Sequence, residues 1–535
     1  MIAMATDLHI AARRISSVNP STGALLRDFE CAAESEVLEA VARARAAQRA
    51  WADIGIRRRI GVLHEFRRGL HEKKSEIASA ISQEAGKPVA EALTTEVLVV
   101  LDAARFLIDN AHRLLRDEFL PHGNLATKLK TGRLVREPLG VVGIISPWNY
   151  PFSIPATETL AALVAGNAVV LKPSELTSLV ALELASLLQA AGVPEDVFQV
   201  VLGDGATGAA LIHARDEAGR AETGIDKLVF TGSVATGRRI AVAAAEGLLP
   251  VVLELGGKDP MLVLDDADVD VASSGAIWGA FVNAGQTCLS VERCYVHRNL
   301  YEAFLSACVE KTKKLRVGPG NVPETEVGPM IHERQLRIVE AHVADALARG
   351  ARVLAGGGRL PELGKNFYQP TVLADVTHEM RIMREETFGP VLPVMAFDSD
   401  DEAVRLGNDS EFGLAASVWT RDRQRGERLA RRIQAGTVMV NDVVSCFGIS
   451  EAPHGGVKSS GVGRAHGRFG LEEMVRLKYV DTDLMPGMKK MWWYGYGMKF
   501  SQQMEGFLEM QFAGKVGERL RGALRAVGVV RRKRL

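Results

Sequence analysis

The sequence predicts an α/β protein built on parallel, doubly wound sheets. Short apolar runs of strand length recur along the chain, at 141–146, 168–171, 198–202 and 228–230. Helical patterns separate them, at 158–165, 176–191 and 234–245. Strands that are apolar throughout and alternate with helices are typical of a parallel sheet covered by helices on both faces.

The flanking segments add helices and a second α/β region. Residues 17–31 are predicted to form short strands around a turn at Asn19–Gly23, and residues 35–115 to form long amphipathic helices. The patterns after Glu254 predict the helices Ser273–Ala284 and Glu333–Ala348 and the strands Cys294–His297, Thr371–Leu373 and Val391–Ala396. Two α/β lobes with accessory segments fit a chain of 535 residues.

Composition excludes several classes of protein. Hydrophobic residues make up 47% and charged residues 24% of the chain, which is a globular balance and not that of a disordered chain. Five cysteines in so long a chain are too few for a disulfide framework, and no pair has zinc-finger spacing, so no metal site is expected. The chain has no run of eighteen apolar residues and no secretory signal, so a cytoplasmic location is expected.

The neutral total charge conceals an uneven distribution. Sixty-five basic residues balance sixty-five acidic ones over the whole chain. From Pro486 to the C-terminus, eleven Lys or Arg stand against three Glu, a net charge of +8, so the rest of the chain carries about −8. The sequence therefore predicts an acidic body with a basic tail.

Cys288 is the first candidate for chemistry, because it follows Gly285–Thr287 in a context rich in Ala and Gly. A thiolate is a strong nucleophile when its pKa is lowered and a substrate can reach it. The alternative is that Cys288 is only a small buried apolar residue, which is the commoner role of a single cysteine. The other four cysteines lack such polar, glycine-rich flanks.

Two polar residues that follow predicted strands are further candidates. Glu254 ends the apolar run 250–253, where sheets of this type bind ligands, and a partly buried carboxylate can act as a general base. Asn149 lies in the segment Pro147–Pro151 after another strand, and its amide can donate a hydrogen bond to a developing oxyanion. The alternatives are that Glu254 caps nearby backbone and that Asn149 only stabilises a proline-bounded turn.

A glycine-containing turn joins a strand to a helix at Phe230–Gly237. Gly232 would let the backbone approach a pyrophosphate at the helix N-terminus. The segment does not have the GxGxxG pattern, so on its own it is a weak indication of nucleotide binding.

These motifs together resemble the aldehyde dehydrogenase superfamily. The shared order along the chain is Asn149, Lys172 with Glu175, Gly232, Glu254, Cys288 and Glu386–Pro390. The 34-residue spacing from Glu254 to Cys288 is also similar to that family, as are the segments Leu171–Glu175 and Gly455–Gly461. The resemblance covers about residues 17–481, with His454 where Phe is usual and Ala465 where Glu is usual.

The resemblance implies a catalytic set. Cys288 would attack the aldehyde carbonyl to form a thiohemiacetal, which loses hydride to give a thioester. The Asn149 amide and the Cys288 backbone N–H would hold the oxyanion, and Glu254 would activate the water that releases the acid. The residues expected to line the substrate pocket are Tyr150, Thr287, Leu289 and Phe447.

The resemblance also implies a nicotinamide dinucleotide cofactor. Lys172 and Glu175 would bind the adenosine ribose, and NAD is favoured over NADP because a carboxylate there repels a 2′-phosphate. The other residues expected to bind the cofactor are Trp148, Ser174, Gly232, Ser233, Leu255, Glu386 and Phe388.

The family architecture sets the predicted domains: an aldehyde dehydrogenase-like fold with a Rossmann-type cofactor domain, an α/β catalytic domain and a small β oligomerisation extension. The predicted boundaries are 1–121 and 141–253 for the NAD-binding domain, 254–465 for the catalytic domain, 122–140 and 466–482 for the extension, and 483–535 for the tail. Alternating patterns in Thr127–Glu137 and Val475–Val480 suit strands of the extension. A homodimer or homotetramer is expected.

The substrate prediction depends on residues beside the nucleophile. Neither Thr287 nor Leu289 offers a charge for a second carboxylate, and Trp148, Tyr150 and Phe447 are aromatic. A hydrophobic aliphatic or aromatic aldehyde is therefore predicted. The alternatives are a semialdehyde dehydrogenase and an NAD-binding scaffold without catalysis. The scaffold is disfavoured because all three catalytic candidates are present.

The tail beyond Asp483 extends past the usual end of the family. It opens with Lys489–Tyr496, a basic and aromatic cluster that suits a membrane interface. One apolar helical stripe is predicted from Phe512, Val516, Leu520, Leu524 and Val527, with Glu518, Arg521 and Arg525 opposite. Peripheral binding to the cytoplasmic face of a membrane is one hypothesis, and packing on the same or a neighbouring subunit is the other. The basic end 531–534 has no nucleic-acid-binding fold around it, so no nucleic acid partner is expected.

Overall fold

The structure is a computed structural model that describes residues 13–214 and 223–527. The described chain forms two units. Residues 13–114 and 138–475 make the first unit, and residues 115–137 and 476–527 make the second. No helix in these ranges is both long and apolar enough to span a membrane. The basic run 531–534 lies outside the described residues.

The N-terminal part consists of a strand pair and a group of helices, as predicted. The strands β1 (Arg14–Val18) and β2 (Leu25–Glu30) are antiparallel. The helices that follow are α1 (Glu34–Asp53), α2 (Ile56–Glu72), α3 (Lys74–Ala85), α4 (Val89–Ala92) and α5 (Leu98–Leu114). A π-helical turn, Leu93–Val97, connects the last two.

The first parallel sheet follows two antiparallel strands, β3 (Glu118–Leu120) and β4 (Lys130–Pro138). Its elements are β5 (Val141–Ile145), α6 (Ser153–Ala165), β6 (Ala168–Lys172), α7 (Ser178–Ala190), β7 (Phe198–Val200), α8 (Gly205–His213), β8 (Lys227–Thr231), α9 (Val234–Glu246) and β9 (Val251–Glu254). The strands lie in the order β9-β8-β5-β6-β7, and all are parallel. Lys172, Thr231 and Glu254 therefore lie at the same, carboxyl edge of the sheet, where such sheets bind ligands.

The second sheet has seven strands. Its elements are β10 (Asp259–Val263), α10 (Val269–Phe281), β11 (Val291–His297), α11 (Tyr301–Lys314), α12 (Glu333–Ala348), β12 (Arg352–Ala355), β13 (Thr371–Ala374), α13 (Arg381–Arg384), β14 (Val391–Phe397), α14 (Asp400–Asn408), β15 (Ala415–Trp419), α15 (Arg423–Ala430) and β16 (Thr437–Val440). The order is β12-β13-β14-β11-β10-β15-β16, with β12 alone antiparallel to its neighbour. Its central strands are buried and mostly apolar, which is typical of parallel sheets, although β10 and β11 also bury the charged residues Asp259, Glu292 and Arg293.

The C-terminal elements return to earlier sheets before the tail begins. They are β17 (Gly461–Val462), α16 (Gly467–Glu472), β18 (Val475–Asp483), α17 (Met498–Phe512) and α18 (Val516–Ala526). Strand β17 pairs with β9, opposite Glu254, and β18 lies beside β4 in a three-stranded sheet with β3.

The prediction of one apolar helical stripe from Phe512 to Val527 is wrong. Phe512 ends α17, Ala513 is extended (φ −63°, ψ 143°) and α18 begins only at Val516, so the segment forms two helices. Gly514 lies in the break, where a residue of low helix propensity is tolerated.

Candidate active site

Cys288 lies on a tight loop that follows α10. The helix ends at Phe281, three residues before its predicted end, because Asn283 and Ala284 both adopt a left-handed backbone with φ 54°. The Asn283 side chain stabilises this turn by donating to the carbonyl oxygen of Gln286 at 3.1 Å. The chain thus reverses sharply and leaves Cys288 half-buried in the wall of a cavity.

Gly285 brings the Cys288 loop against a second loop, Glu386–Pro390. Gly285 also has a left-handed backbone (φ 71°), and a Cβ at this position would collide with the carbonyl oxygen of Gly389. Backbone therefore packs directly on backbone here. This contact sets the spacing between the thiol and the segment that carries Glu386 and Phe388.

Asn149 lies against the Cys288 loop. Its side-chain amide donates to the carbonyl oxygen of Gln286 at 3.1 Å. Its own carbonyl oxygen accepts from the Asn283 amide at 2.9 Å and from Lys87 Nζ at 2.9 Å. An amide group has two N–H donors, so one of them is not used by the bond to Gln286. The fold thus brings Asn149 against the loop that carries Cys288.

A buried ion pair that sequence reasoning missed stabilises this arrangement. Lys87 Nζ lies 2.7 Å from Glu96 Oε1, and both side chains are fully buried. The other oxygen of Glu96 accepts from the backbone N–H groups of Phe152 and Ser153 at 2.9 and 2.8 Å. Because the charges and hydrogen bonds are matched, the pair can hold the Asn149 turn rigidly despite its burial.

Glu254 ends β9 and points into the same cavity as Cys288. Neither of its carboxyl oxygens has a hydrogen-bond partner among the described residues. Burial, and then the charge of Glu158, raise its pKa to about 8. The backbone N–H of Ala465 is near enough to lower this pKa slightly, and the carboxyl group remains available to a ligand or a water molecule.

Three ionisable residues beside Glu254 were not among the predicted site residues. Glu158, on the buried helix α6, lines the cavity and accepts from Thr231 at 3.4 Å, and burial raises its pKa to about 8. His454 and His466 both pack on Phe447, with ring centroids 5.0 and 4.4 Å from its ring and 6.0 Å from each other. Burial lowers the pKa of His454 to about 3 and that of His466 to about 4, so both rings are neutral.

The cavity between Cys288 and Glu254 has a volume of about 230 Å³. The four residues predicted to line the pocket are all in its wall: Tyr150, Thr287, Leu289 and Phe447. Further apolar side chains complete the lining: Val99, Ile154, Trp278, Leu414 and Val444. Leu255, which was predicted to contact the cofactor, also lines this cavity. Within the described chain, no Lys or Arg side chain lines it.

The thiol of Cys288 is protonated in this environment. Burial raises its pKa well above the usual value, and nearby carboxyl groups, Asp259 first, add to the effect. The reactive thiolate therefore needs a positive charge or a proton acceptor that arrives with the ligands.

The residues predicted for the adenosine end of a cofactor gather at the carboxyl edge of the first sheet. Lys172 ends β6, and its Nζ lies 3.7 Å from Glu175 Oε2. The Glu175 side chain is 48% exposed, and Ser174 Oγ accepts from the N–H of Leu176 at 3.3 Å. The lysine can donate to, and the accessible carboxylate can accept from, the hydroxyls of a ribose diol, so these residues fit a dinucleotide.

The turn predicted to approach a pyrophosphate has the expected form. Gly232 follows β8 and donates from its N–H to the carbonyl oxygen of Glu254 at 3.0 Å. Ser233 is the N-cap of α9, and its side chain accepts from the N–H of Thr236. The N-terminus of α9 is thus next to the end of β9, and free helical N–H groups there favour an anion.

The predicted nicotinamide residues lie together on the second loop. Glu386 Oε1 accepts from the N–H of Gly257 at 3.0 Å. Phe388 contacts Trp148 edge-on, with ring centroids 5.5 Å apart. Sequence reasoning missed Glu292, which pairs with Lys258 and accepts from the Phe388 N–H at 2.8 Å. Glu292 follows Cys288 by four residues on β11, so it connects the Glu386–Pro390 loop to the strand that comes after Cys288.

Comparison with known proteins identifies relatives that match this chain over most of its length and of theirs. The model of the Aldehyde dehydrogenase family matches residues 9–480. A 4,4'-diapolycopene aldehyde oxidase from a Methylomonas species is 41% identical over 495 residues, which cover 92% of this chain and 91% of that protein. A putative succinate-semialdehyde dehydrogenase [NADP(+)] from Mycolicibacterium smegmatis is 40% identical over 463 residues, which cover 86% of each chain.

Solved structures confirm the predicted fold class. An aldehyde dehydrogenase from Bacillus cereus, solved as an NAD+ complex, matches with a TM-score of 0.83 and 35% identity over 88% of this chain and 94% of that chain. An NADP-dependent enzyme from E. coli matches with a TM-score of 0.83 and 35% identity over 88% and 95%. The family model and these relatives agree with the resemblance inferred from the motifs. This chain is a member of the aldehyde dehydrogenase family.

Proposed function

We propose that this enzyme oxidises an apolar, aliphatic or aromatic aldehyde to its carboxylic acid, with NAD as the preferred oxidant. The observation that carries the proposal is the lining of the cavity beside Cys288. Aromatic and aliphatic side chains supply most of its surface, and among the described residues its wall contains no Lys or Arg, while its two histidines, His454 and His466, are uncharged. Such a cavity favours an apolar chain by removing its surface from water.

A semialdehyde with a second carboxylate fits the cavity poorly. The guanidinium of Arg464, a cation close to Glu254, does not line the cavity and donates to the carbonyl oxygens of Gly456 and Gly463 at 3.1 and 2.6 Å. A carboxylate that enters a buried apolar site without a cation loses several kcal/mol of hydration. The relatives carry names of both kinds, diapolycopene aldehyde and succinate semialdehyde, and the cavity lining favours the apolar kind.

The proposed chemistry begins at the sulfur. After the Cys288 thiol has lost its proton to solvent, the thiolate adds to the carbonyl carbon, and the oxygen becomes an oxyanion that accepts from the Asn149 amide and the Cys288 backbone N–H. The carbon then loses hydride, and the oxyanion collapses to the carbonyl of a thioester. Bound NAD supplies the two-electron oxidation as the hydride acceptor.

Glu254 completes the reaction. Its carboxylate takes a proton from a water molecule whose oxygen attacks the thioester carbon, and the C–S bond breaks to release the carboxylic acid and the Cys288 thiolate. The balance is one aldehyde, one water and one NAD converted to one acid, one NADH and one proton. The absence of a competing hydrogen bond to Glu254 among the described residues leaves it free for that water.

NAD is favoured over NADP by the position of Glu175. Its carboxylate is half-exposed beside Lys172, where the ribose hydroxyls are expected to bind. A 2′-phosphate would meet like charge there, which disfavours binding. Lys172 weakens this repulsion but does not remove it. We therefore expect NADP to be used less well than NAD but not to be excluded.

Self-association through β18 is part of the proposal. This strand lies at the edge of its three-stranded sheet, and Leu477, Tyr479 and Val480 are 60, 50 and 40% exposed. An edge strand with exposed apolar side chains is a template for pairing with a second copy. A homodimer or homotetramer in the cytoplasm is the assembly we infer.

The test is a substrate series followed by NADH absorbance. We expect kcat/KM to rise with the chain length of unbranched alkanals and to be lower for succinate semialdehyde than for an alkanal of equal length. Equal kcat/KM values for that pair would contradict the apolar assignment. Loss of NADH formation in Cys288→Ala, with the folded protein intact by circular dichroism, would separate catalysis from a role as a non-catalytic scaffold.

A further inference from the structure

The helices α17 and α18 of the tail form a tight antiparallel hairpin. Gln503 Nε2 donates to the carbonyl oxygen of Val527 at 3.0 Å, and Arg525 pairs with Glu509 at 3.0 Å. The two backbones touch at Gly506 and Gly522, since a Cβ on Gly522 would lie 2.6 Å from the Gly506 carbonyl oxygen. The hairpin therefore has a defined inner side, which is the glycine side of each helix.

The opposite side of α18 is apolar and exposed. Val516, Leu520 and Leu524 recur every four residues, so they lie along one face of the helix. They are 72, 64 and 77% exposed, respectively. Leu520 is two residues, or about 200°, from Gly522, so this face points away from α17. We call Val516, Leu520 and Leu524 with the adjacent Arg519 and Arg521 the tail surface.

The charges around this apolar stripe indicate its partner. Arg519 and Arg521 flank Leu520 by one residue on each side, so each lies about 100° from the stripe and borders it. The sequence from Pro486 onward carries a net charge of +8. A second copy would bring the same positive borders together, whereas an anionic lipid surface meets both the stripe and its borders.

Exposed aromatic side chains in the tail also favour a lipid surface as its partner. Trp493, Tyr494 and Tyr496 precede α17 and are 53, 80 and 61% exposed. Tryptophan and tyrosine are enriched at the level of lipid headgroups, because their rings are apolar and carry a polar N–H or O–H. The helix α18 has 11 residues and is about 16 Å long, which suits a helix that lies in the plane of the interface.

We propose that the tail surface binds the headgroup region of an anionic phospholipid bilayer. Leu520 and Leu524 enter the acyl boundary while Arg519 and Arg521 pair with lipid phosphates. This inference does not depend on which aldehyde the enzyme oxidises, because its evidence lies in the chain from Pro486 onward and not at the cavity of Cys288.

The experiment uses the full-length enzyme and vesicles that float in a density gradient. One set of vesicles is phosphatidylcholine, and the other is phosphatidylcholine with phosphatidylglycerol. We expect co-flotation with the anionic vesicles, at least about tenfold weaker binding to the neutral ones, and a loss of binding as salt is raised. Absence of binding to the anionic vesicles would overturn the proposal.

Two variants assign the binding to the tail surface. L520Q/L524Q is expected to weaken the partition coefficient for anionic vesicles at least about tenfold, since two buried leucine side chains are lost. The matched control is V242Q, a change at a 68% exposed apolar residue of α9, which should bind as the unaltered enzyme does. Equal effects of both variants would contradict the assignment.

Light scattering tests whether a second copy of the chain, and not lipid, covers the tail surface. Under the proposal, L520Q/L524Q keeps the oligomeric state and the dehydrogenase activity in solution while vesicle binding falls. If L520Q/L524Q instead dissociates the oligomer and leaves vesicle binding unchanged, the face is an interface between copies of the chain and the lipid proposal is wrong. Activity in solution serves as the measure of folding for every variant.

Discussion

The imidazole Nε2 of His454 lies 3.7 Å from Glu254 Oε2, at a distance typical of an ion pair, yet neither group is charged near neutral pH. Burial lowers the pKa of His454 to about 3 and raises that of Glu254 to about 8. The neighbour that matters electrostatically is Glu158, whose charge raises the pKa of Glu254 further. Burial is therefore the first cause of the raised pKa of Glu254 and the Glu158 carboxyl group is the second, while the neutral histidine adds no charge.

This arrangement predicts the pH dependence of turnover. Glu254 acts only when deprotonated, so kcat should fall as the pH drops below about 8. Glu158→Gln removes a neighbouring negative charge and should move this acid limb to lower pH. His454→Phe removes a neutral ring and should leave the limb in place. The measurement is kcat against pH for the three proteins, and an unmoved limb in Glu158→Gln would contradict the coupling.

Substitutions at the two reacting side chains should separate hydride transfer from thioester hydrolysis. Cys288→Ala should abolish turnover because no covalent adduct can form. Glu254→Gln should retain a rapid burst of NADH followed by a steady rate lowered about 10²–10⁴-fold, the usual contribution of a general base. Stopped-flow NADH absorbance measures both phases. A variant Glu254→Gln without a burst would place the carboxylate before hydride transfer.

A cation added to the cavity should change substrate choice. Trp278 lines the cavity and is 44% exposed, so a longer polar side chain there can reach both solvent and ligand. Trp278→Arg should raise the ratio of kcat/KM for succinate semialdehyde to that for an alkanal by at least about tenfold, through a charge-assisted hydrogen bond. Trp278→Gln, polar but neutral, is the control, and an equal change in both variants would show that lost packing is responsible.

The cofactor prediction is tested at Glu175. Glu175→Gln removes the carboxylate beside Lys172 and should raise kcat/KM for NADP about tenfold while that for NAD falls, because the like charge near a 2′-phosphate is gone. The control is Glu195→Gln, at an exposed carboxylate outside the predicted site. Unchanged NADP kinetics in Glu175→Gln would mean that another residue sets cofactor choice.

The sequence predicted site residues best where a polar side chain comes directly at the end of a buried parallel strand. Lys172, Thr231 and Glu254 each end an apolar run, and parallel strands bring such ends to one edge. The positions of these side chains were therefore predictable once the strands were. The flanking motif of Cys288 and its spacing from Glu254 predicted that it belongs to the site. The turn that exposes it was not predicted, because the left-handed backbone of Asn283 depends on hydrogen bonds with Asn149 and Gln286.

The supporting residues were harder to predict because they act through contacts between distant elements. Glu158 lies in Thr157–Thr159, which has the composition of a solvated helix face, yet α6 is buried almost throughout. Lys87 and Glu96 meet only because the chain turns between them through α4 and the π-helical segment. No local pattern distinguishes such residues from ordinary surface charges, so their roles depended on the tertiary structure.

The contact of Gly285 with the Gly389 carbonyl has a consequence for how this active site can diversify. The spacing between the Cys288 loop and the Glu386–Pro390 loop is fixed by direct contact between two main chains. Changes at the cavity residues Trp278, Leu289 or Phe447 can therefore alter which aldehyde enters without changing the spacing of these two loops. By contrast, Gly285→Ala would place a methyl group against the Gly389 carbonyl oxygen and separate the two loops. We expect this substitution to slow the oxidation of every aldehyde to a similar extent.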